Sequence, residues 1–289
     1  MTDATFAERS LEVKGRRVRY FVGGDGPPIV LVHGLGGSAA NWDELAPLLA
    51  RRRRVLVPDL PGHGGSEPLA AVAGLAAFAD RVVAAAAHER AVPAPVVGHS
   101  LGGVVAVRIA LRYPELVDSL ILAASAGLSI GRPLLRELLT AFTVVRPGRL
   151  AGRYRTLVAR SPFLRRFVFG FVSVADPVSL TDRAVEGFLA GQVLHTDTAS
   201  AWRALREDDP RQELERIDVP ALVLWGADDG QLPLDDGFEY ARRLRAQMRT
   251  IAGCGHLLIG ERPDACAHAI EDFIATAGAR PSAPASAGS

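Results

Sequence analysis

The residues best suited to do chemistry lie at 98–102, in the order Gly-His-Ser-Leu-Gly. An apolar run typical of a strand ends just before this stretch, and a run typical of a helix follows it directly. The pattern predicts a strand, a tight turn and a helix, with the Ser100 hydroxyl at the apex as a nucleophile. Gly98 and Gly102 let the strand and the helix approach closely. The first N–H groups of the helix would then face any oxyanion formed there.

A serine hydroxyl is too weakly acidic to attack unaided, so the chain must also supply a base and an acid. His256 follows the last predicted strand, and the adjacent pair Asp228 and Asp229 follows the strand that ends at Trp225. A histidine can accept the serine proton, and a carboxylate can orient that histidine and stabilise its cation. These residues are the candidates for the two remaining roles.

The elements that must position these residues alternate along the chain. Short apolar or alternating runs predict strands at 11–13, 17–22, 29–32, 55–57, 96–97, 120–123, 221–225 and 250–252. Helical spacing is found at 41–50, 69–90, 104–111, 235–247 and 263–275. This alternation predicts an α/β fold with a mostly parallel sheet and helices on both faces.

The alternation breaks between 128 and 212, where several stretches are helical and none is typical of a strand. A helical excursion of this size between two strands predicts a cap. We therefore expect a core formed by 1–127 and 213–276, a helical cap at 128–212, and a disordered, low-complexity tail at 277–289.

The motifs together resemble those of the α/β-hydrolase superfamily, in its serine-nucleophile, cap-bearing branch of esterases and lipases. The resemblance covers nearly all of the chain except the tail. It rests on five stretches in the family's order: the oxyanion loop at 33–37, the turn at 59–66, the elbow at 98–102, the acid turn at 225–233 and the histidine loop at 253–256.

The resemblance implies an eight-stranded, mostly parallel sheet with the cap inserted after the sixth strand. It also implies that Ser100 is the nucleophile and His256 the base. The family's acid turn has Trp-Gly-x-x-Asp followed four residues later by proline, and this spacing selects Asp229, with Pro233 in register, over Asp228.

The resemblance further implies an oxyanion hole made by the backbone N–H groups of Leu35 and Leu101. Gly34 lies in the oxyanion loop beside the first of these donors. One donor of this kind is typically worth about 3 kcal/mol of the reaction barrier.

We therefore expect a serine hydrolase that cleaves carboxylic esters of apolar, small to medium-sized substrates through an acyl-enzyme. The alternatives within the fold are a hydrolase of carbon–carbon bonds and a cofactor-free haloperoxidase, which resemble the same constellation. A non-catalytic binding protein on this fold is the alternative of another class. A serine at position 100 argues against chemistry that needs a carboxylate nucleophile.

Several functional classes find no support in the composition. The formal net charge is +1, which gives no argument for nucleic-acid binding. Neither a metal-ligand spacing nor a phosphate or dinucleotide loop is present, so we expect no metal and no cofactor. The N-terminal stretch lacks the apolar core of a signal peptide, and we expect a cytoplasmic protein. The oligomeric state is not indicated.

The predicted cap is unusually basic and aromatic. Between 131 and 170 the chain has nine arginines and one acid, a formal charge of +8. One interpretation is that its phenylalanines, Phe142, Phe163 and Phe167 among them, line the substrate pocket while the arginines are solvated. The other is that the cap contacts an anionic lipid surface or recognises an anionic acyl substrate.

Overall fold

The computed structural model describes residues 5–69, 73–126, 128, 147–170 and 174–277. Eight strands form one sheet. They are β1 (Phe6–Val13), β2 (Arg16–Gly23), β3 (Pro28–Val32), β4 (Arg54–Pro58), β5 (Ala94–His99), β6 (Val117–Ala123), β7 (Ala221–Gly226) and β8 (Gln247–Ile251).

The strand order in the sheet is β1-β2-β4-β3-β5-β6-β7-β8. The β1–β2 hairpin and the β2–β4 pair are antiparallel, and every other neighbouring pair is parallel. The central strands are apolar and buried along their length, as strands covered on both faces must be. The predicted eight-stranded, mostly parallel sheet is confirmed.

The helices that connect the strands cover both faces of this sheet. They are α1 (Leu45–Leu49), α2 (Leu75–His88), α3 (Leu101–Arg112), α9 (Leu234–Leu244), α10 (Leu258–Glu261) and α11 (Pro263–Ala277), with α4 to α8 between β6 and β7. The chain turns back across β3 after β4, so right-handed crossovers place α1 on one face and α2 and α3 on the other. Accordingly α1 packs on α11, and α2 packs on α3.

The insertion between β6 and β7 is helical in its described part. Its helices are α4 (Pro147–Arg153), α5 (Arg155–Arg160), α6 (Pro162–Phe169), α7 (Asp182–Ala190) and α8 (Thr198–Glu207). Helices α4 to α7 enclose a small apolar cluster of their own, which includes Val158, Phe169 and Val185, whereas α8 packs its buried side chains into the main core. One detail differs from prediction: His195–Thr196 pairs with His63–Gly64 as a two-residue ladder, too short to leave a pattern in the sequence.

Two predicted helix boundaries are wrong, and each has a local cause. The expected helix at 41–50 is a 3-10 turn, Ala39–Trp42, followed by α1, because Pro47 has no N–H to continue a single helix. The expected helix at 235–247 ends at Leu244, where Arg245 takes a left-handed conformation (φ 53°), and Gln247 starts β8. Arginine occupies a position where glycine is the usual signal.

The other boundaries shift by less. The helix expected at 69–90 begins at Leu75, after the Gly74 N-cap. Most of the predicted tail, from 278 onward, lies outside the described residues. Within the part of the chain that is described, no helix is both long and apolar enough to cross a membrane.

The parallel register brings the ends of five strands to one edge of the sheet. Val32 at the end of β3 is opposite Gly98 of β5, Gly98 is opposite Leu122 of β6, and Ile251 of β8 is opposite Gly226 of β7. The loops that follow these strands therefore meet above the same edge.

A buried carboxylate ties two of these loops together. Asp59, which follows β4, accepts hydrogen bonds from the backbone N–H groups of Ala39 (2.7 Å) and Gly65 (2.8 Å). The Arg19 guanidinium donates to the same carboxylate at 2.6 Å. Asp59 thus fixes the turn after β4 against the segment that follows the loop at 33–37.

Two buried histidines, His33 and His63 of this turn, lie side by side with ring centroids 5.5 Å apart and ring planes tilted by 53°. His33 Nδ1 donates to the Gly34 carbonyl at 2.8 Å, and His33 Nε2 accepts from the Leu60 N–H at 3.0 Å. This pair of contacts requires the neutral ring. Burial lowers the pKa of His33 to about 4 and also lowers the pKa of His63.

His99, the last residue of β5, is a third buried neutral histidine. Its Nε2 donates to the backbone carbonyl of His256 at 2.9 Å. Burial, followed by the nearby His256 ring, lowers the pKa of His99 to about 3.

We predict that Asp59→Ala lowers the free energy of unfolding by about 3–5 kcal/mol, because it leaves a guanidinium and two buried N–H groups without their acceptor. Urea denaturation followed by circular dichroism measures the loss. The matched control is Asp25→Ala, which removes an exposed aspartate. Equal effects of the two substitutions would contradict the role of Asp59.

We also predict that stability falls as the pH is lowered from about 6.5 toward 4. Histidine in an unfolded chain protonates near pH 6.5, whereas folded His33 does so near 4 and His99 near 3, so the unfolded chain binds more protons in this window. Each buried histidine contributes a slope of up to about 1.4 kcal/mol per pH unit.

Urea denaturation at pH 7, 6 and 5 measures this dependence. His33→Gln should show a shallower slope than the wild type, whereas the control His88→Gln, at an exposed position, should keep it. An unchanged slope in His33→Gln would contradict the assignment.

Candidate active site

Ser100 lies at the turn between β5 and α3 with an unusual backbone. Its φ is 54° and its ψ is −119°, a combination that a residue with a side chain rarely adopts. The turn is held by hydrogen bonds from Ser100 N to the Ala123 carbonyl (3.1 Å) and from Ala126 N to the Ser100 carbonyl (3.0 Å). The half-buried side chain therefore stands at the top of the sheet edge.

The two glycines that flank this turn are required by close backbone contacts. A Cβ at Gly98 would lie 2.3 Å from the Gly102 carbonyl oxygen, and one at Gly102 would lie 2.1 Å from the Val32 carbonyl oxygen. Gly34, on the neighbouring loop, would place a Cβ 3.1 Å from the Ser100 Cβ. Side chains at these positions would separate β5, α3 and the loop after β3.

His256 and Asp229 complete a chain of hydrogen bonds that starts at Ser100. The Ser100 Oγ lies 3.1 Å from His256 Nε2, and His256 Nδ1 lies 2.9 Å from Asp229 Oδ2. With the proton on Nδ1, the histidine donates to Asp229 and its Nε2 is free to accept the serine proton. Both the imidazole and the carboxylate are buried.

The two adjacent aspartates have different environments. The second oxygen of Asp229, Oδ1, accepts from the backbone N–H groups of Gln231 and Leu232, both at 2.8 Å. These bonds fix the carboxylate that faces His256. Asp228, by contrast, is exposed, and its backbone N–H donates to the Cys254 carbonyl.

The predicted oxyanion donors, Leu35 and Leu101, line the same cavity as Ser100. Leu101 is the first residue of α3, so its N–H has no partner within the helix. Among the described residues, neither the Leu35 nor the Leu101 N–H has a hydrogen-bond acceptor. Both are available to a group bound at Ser100.

The cavity above Ser100 has a volume of about 280 Å³ and a mostly apolar lining. The insertion contributes a large share of this lining, and sequence reasoning missed these residues: Val168 and Phe169 from α6, Phe188 and Leu189 from α7, Gln192, and Trp202 and Leu205 from α8. Gln192 Nε2 donates to the Gly36 carbonyl at 2.8 Å and thereby joins the insertion to the loop after β3.

Two of the three phenylalanines predicted for the pocket are not part of its lining. Phe163 and Phe167 are 75% and 66% exposed and project from α6 on the side away from the cavity. Both faces of α6 are apolar, so helical spacing alone does not indicate which one is buried. Phe142 lies outside the described residues.

Glu261 is a positioning residue that sequence reasoning also missed. Its Oε2 accepts from the N–H groups of Gly255, next to His256, and Ala175, in the insertion, both at 2.9 Å. Burial raises the pKa of Glu261 despite these hydrogen bonds. Nothing in the local sequence distinguishes this glutamate from an exposed helical residue.

The neighbouring cysteine is not a second nucleophile. Cys254 is fully buried, and burial raises the pKa of its thiol. Within the described ranges, no group of three or more His, Cys, Asp or Glu side chains could hold a metal ion.

Comparison with known proteins agrees with this architecture. A model of the α/β hydrolase fold matches residues 27–263. A Pseudomonas putida protein, the dihydrolipoyllysine-residue acetyltransferase component of an acetoin cleaving system, is 34% identical over 261 residues, which cover 87% of this chain. The chain spans 65% of the length of that relative.

Two further relatives match along most of their own length. The pimeloyl-[acyl-carrier protein] methyl ester esterase of Aromatoleum aromaticum is 32% identical, with 86% of this chain and 98% of that protein covered. The crystal structure of a membrane phospholipase A, a bacterial virulence factor, superposes with a TM-score of 0.75 at 29% identity, over 96% of this chain and 88% of that one. From the fold and these matches, the chain belongs to the α/β-hydrolase family.

Proposed function

We propose that this protein is a serine hydrolase that cleaves carboxylic esters of apolar, small to medium-sized substrates through an acyl-enzyme. The observation that carries the proposal is the chain of hydrogen bonds from Ser100 through His256 to Asp229, which opens into an apolar cavity. The relatives named an esterase and a phospholipase support an enzyme with a small-molecule substrate.

In the first half-reaction, the Ser100 Oγ attacks the ester carbonyl while His256 Nε2 accepts the hydroxyl proton. The carbonyl oxygen gains a negative charge, which the N–H groups of Leu35 and Leu101 stabilise. Collapse of this intermediate breaks the bond to the alkoxy oxygen, and His256 returns the proton to the departing alcohol. Asp229 stabilises the imidazolium in between.

In the second half-reaction, water replaces the alcohol. His256 removes a proton from the water, whose oxygen attacks the acyl carbonyl, and the same N–H groups hold the second oxyanion. The carboxylic acid leaves, and the Ser100 oxygen recovers the proton from His256. No cofactor is needed for either half-reaction.

The cavity lining favours an apolar acyl or alcohol group as the substrate. Aliphatic and aromatic side chains from α6, α7 and α8 form most of the part of its wall that the insertion contributes. We further propose that residues 128–212 act as a cap over the core formed by 1–127 and 213–276. On this interpretation the cap residues Val168, Phe188 and Trp202 determine which substrates fit.

We predict that Ser100→Ala folds normally and loses at least about 10⁴-fold in kcat/KM toward p-nitrophenyl esters, since only the oxyanion donors and binding remain. For the wild type, kcat/KM should rise about fourfold for each added acyl methylene until the cavity is full. Ser10→Ala, at an exposed position in β1, is the control and should retain full activity.

The proposal would be contradicted if Ser100→Ala kept the esterase activity of the wild type. Activity toward a 2-hydroxy-6-oxo-dienoate, with no activity toward any ester, would favour the carbon–carbon hydrolase instead. No activity toward either class would favour the binding protein.

We predict that Asp229→Asn lowers kcat by about 10⁴-fold, because the amide cannot stabilise the histidine tautomer and cation that the reaction needs. The adjacent Asp228→Asn is the matched control and should stay within about twofold of the wild type, since its side chain is exposed and makes no contact with His256. Steady-state kinetics of the two variants show which aspartate is the functional partner of His256. A larger loss in Asp228→Asn would refute the assignment.

A further inference from the structure

The outward side of the insertion is rich in exposed apolar side chains. Large apolar residues with high exposure are few in the described part of the chain, and five of the eight are on α4, α5, α6 or the residue between α4 and α5. They are Leu150, Tyr154, Leu157, Phe163 and Phe167, with exposures between 51% and 75%. Leaving a side chain of this size in water forgoes about 1.5–3 kcal/mol of burial.

These side chains occupy one side of their helices. Backbone hydrogen bonds from Tyr154 N to Leu150 O and from Val158 N to Tyr154 O continue the helical path from α4 into α5. Leu150, Tyr154 and Leu157 therefore follow at helical spacing, as do Phe163 and Phe167 on α6. The opposite sides pack into the apolar cluster inside the insertion.

Arginines are interleaved with these apolar residues. Four of them, Arg149, Arg153, Arg160 and Arg166, are exposed, and none forms an ion pair with any described residue. No Asp, Glu or Lys occurs between 147 and 170. We call these five apolar side chains and four arginines, all exposed and all within 147–170, the outer face.

Arg165, in the same segment, is not exposed and unpaired as the arginines of the outer face are. It is buried, pairs with Asp182, and donates to the backbone carbonyls of Ala159 and Val178. These contacts fix α6 against α5 and the segment that precedes α7. The four arginines of the outer face have no such partner among the described residues, and their side chains are exposed to solvent.

We propose that the outer face docks on the surface of an anionic phospholipid bilayer. Aromatic and aliphatic side chains can enter the interface between headgroups and acyl chains, while guanidinium groups pair with phosphates and carboxylates. A second copy of this chain is a poorer occupant, because a self-complementary contact would bring the four arginines of each copy together and their like charges would repel.

The outer face lies close to the cavity above Ser100. Helix α6 carries both: Val168 and Phe169 line the cavity, while Phe163 and Phe167 belong to the outer face. Helix α4 also lies near the cavity. It packs so closely on Val193 that a Cβ at Gly152 would lie 2.8 Å from that side chain, and the adjacent Gln192 lines the cavity. Docking would place the cavity beside the bilayer, so that a membrane ester could reach Ser100; this last step rests on the proposed function, whereas docking does not.

Sedimentation with vesicles tests docking without relying on turnover. Full-length Ser100→Ala protein is used so that no lipid is cleaved. We expect it to sediment with vesicles of phosphatidylcholine and phosphatidylserine, and much less with phosphatidylcholine alone. Binding should weaken as NaCl is raised from 0.05 to 0.5 M, because salt screens the arginines.

Variants of the outer face should weaken this binding by measurable factors. Phe163→Ala combined with Phe167→Ala should lower the vesicle affinity at least about tenfold. Arg149→Gln combined with Arg153→Gln should lower it about 25-fold, about fivefold for each arginine. All four positions are exposed, so thermal unfolding should match the parent protein.

Matched controls come from elsewhere on the surface. Phe238→Ala removes an exposed phenylalanine of α9, and Arg51→Gln combined with Arg52→Gln removes two exposed arginines after α1. Both control variants should bind vesicles as the parent does.

Negligible binding of the parent to both vesicle types, or equal binding by the outer-face variants and the controls, would overturn the proposal. The proposal would also be overturned if the parent protein binds no vesicles but self-associates, and if Phe163→Ala combined with Phe167→Ala abolishes that self-association.

Discussion

The positive φ of Ser100 is the constraint on which the rest of the site depends. A non-glycine residue in this conformation costs about 1–3 kcal/mol, which the surrounding contacts must offset. They do so through the contact between Gly98 and Gly102 and the hydrogen bonds to Ala123 and Ala126. In this turn the Ser100 Oγ lies 3.1 Å from His256 Nε2. The same turn places Leu101 in the lining of the cavity above Ser100.

The partners of Ser100 come from distant parts of the chain, and buried polar groups hold their loops in place. Asp59 and His33 anchor the loop after β3 and the turn after β4. His99 and Glu261 anchor the loop that carries His256. Each of these groups is buried with specific hydrogen bonds, so a displaced loop would leave polar atoms unsatisfied. Stability and positioning therefore depend on the same contacts.

Sequence reasoning predicted the sheet and the turn at Ser100, because strand ends and glycine contacts leave local patterns, whereas the choice of Asp229 over Asp228 as the partner of His256 came from the resemblance to the α/β-hydrolase superfamily. It failed where the outcome depends on what packs against a residue. The orientation of Phe163 and Phe167 depends on which face of α6 meets α5 and the cavity. Arg165 is buried where Asp182 and three backbone carbonyls surround it. Glu261 has the local sequence of an exposed helix end, yet the insertion covers it. Such features follow from tertiary packing, which spacing along one chain does not encode.

If Ser100 is an activated nucleophile in the folded protein, it should react with a fluorophosphonate. Intact-protein mass spectrometry after this reaction, followed by peptide mapping, measures the labelling directly. We expect one equivalent of label on Ser100, none in Ser100→Ala, and none in wild-type protein unfolded in urea, where His256 no longer lies beside the hydroxyl. Label at another residue, or none on the folded wild type, would contradict it.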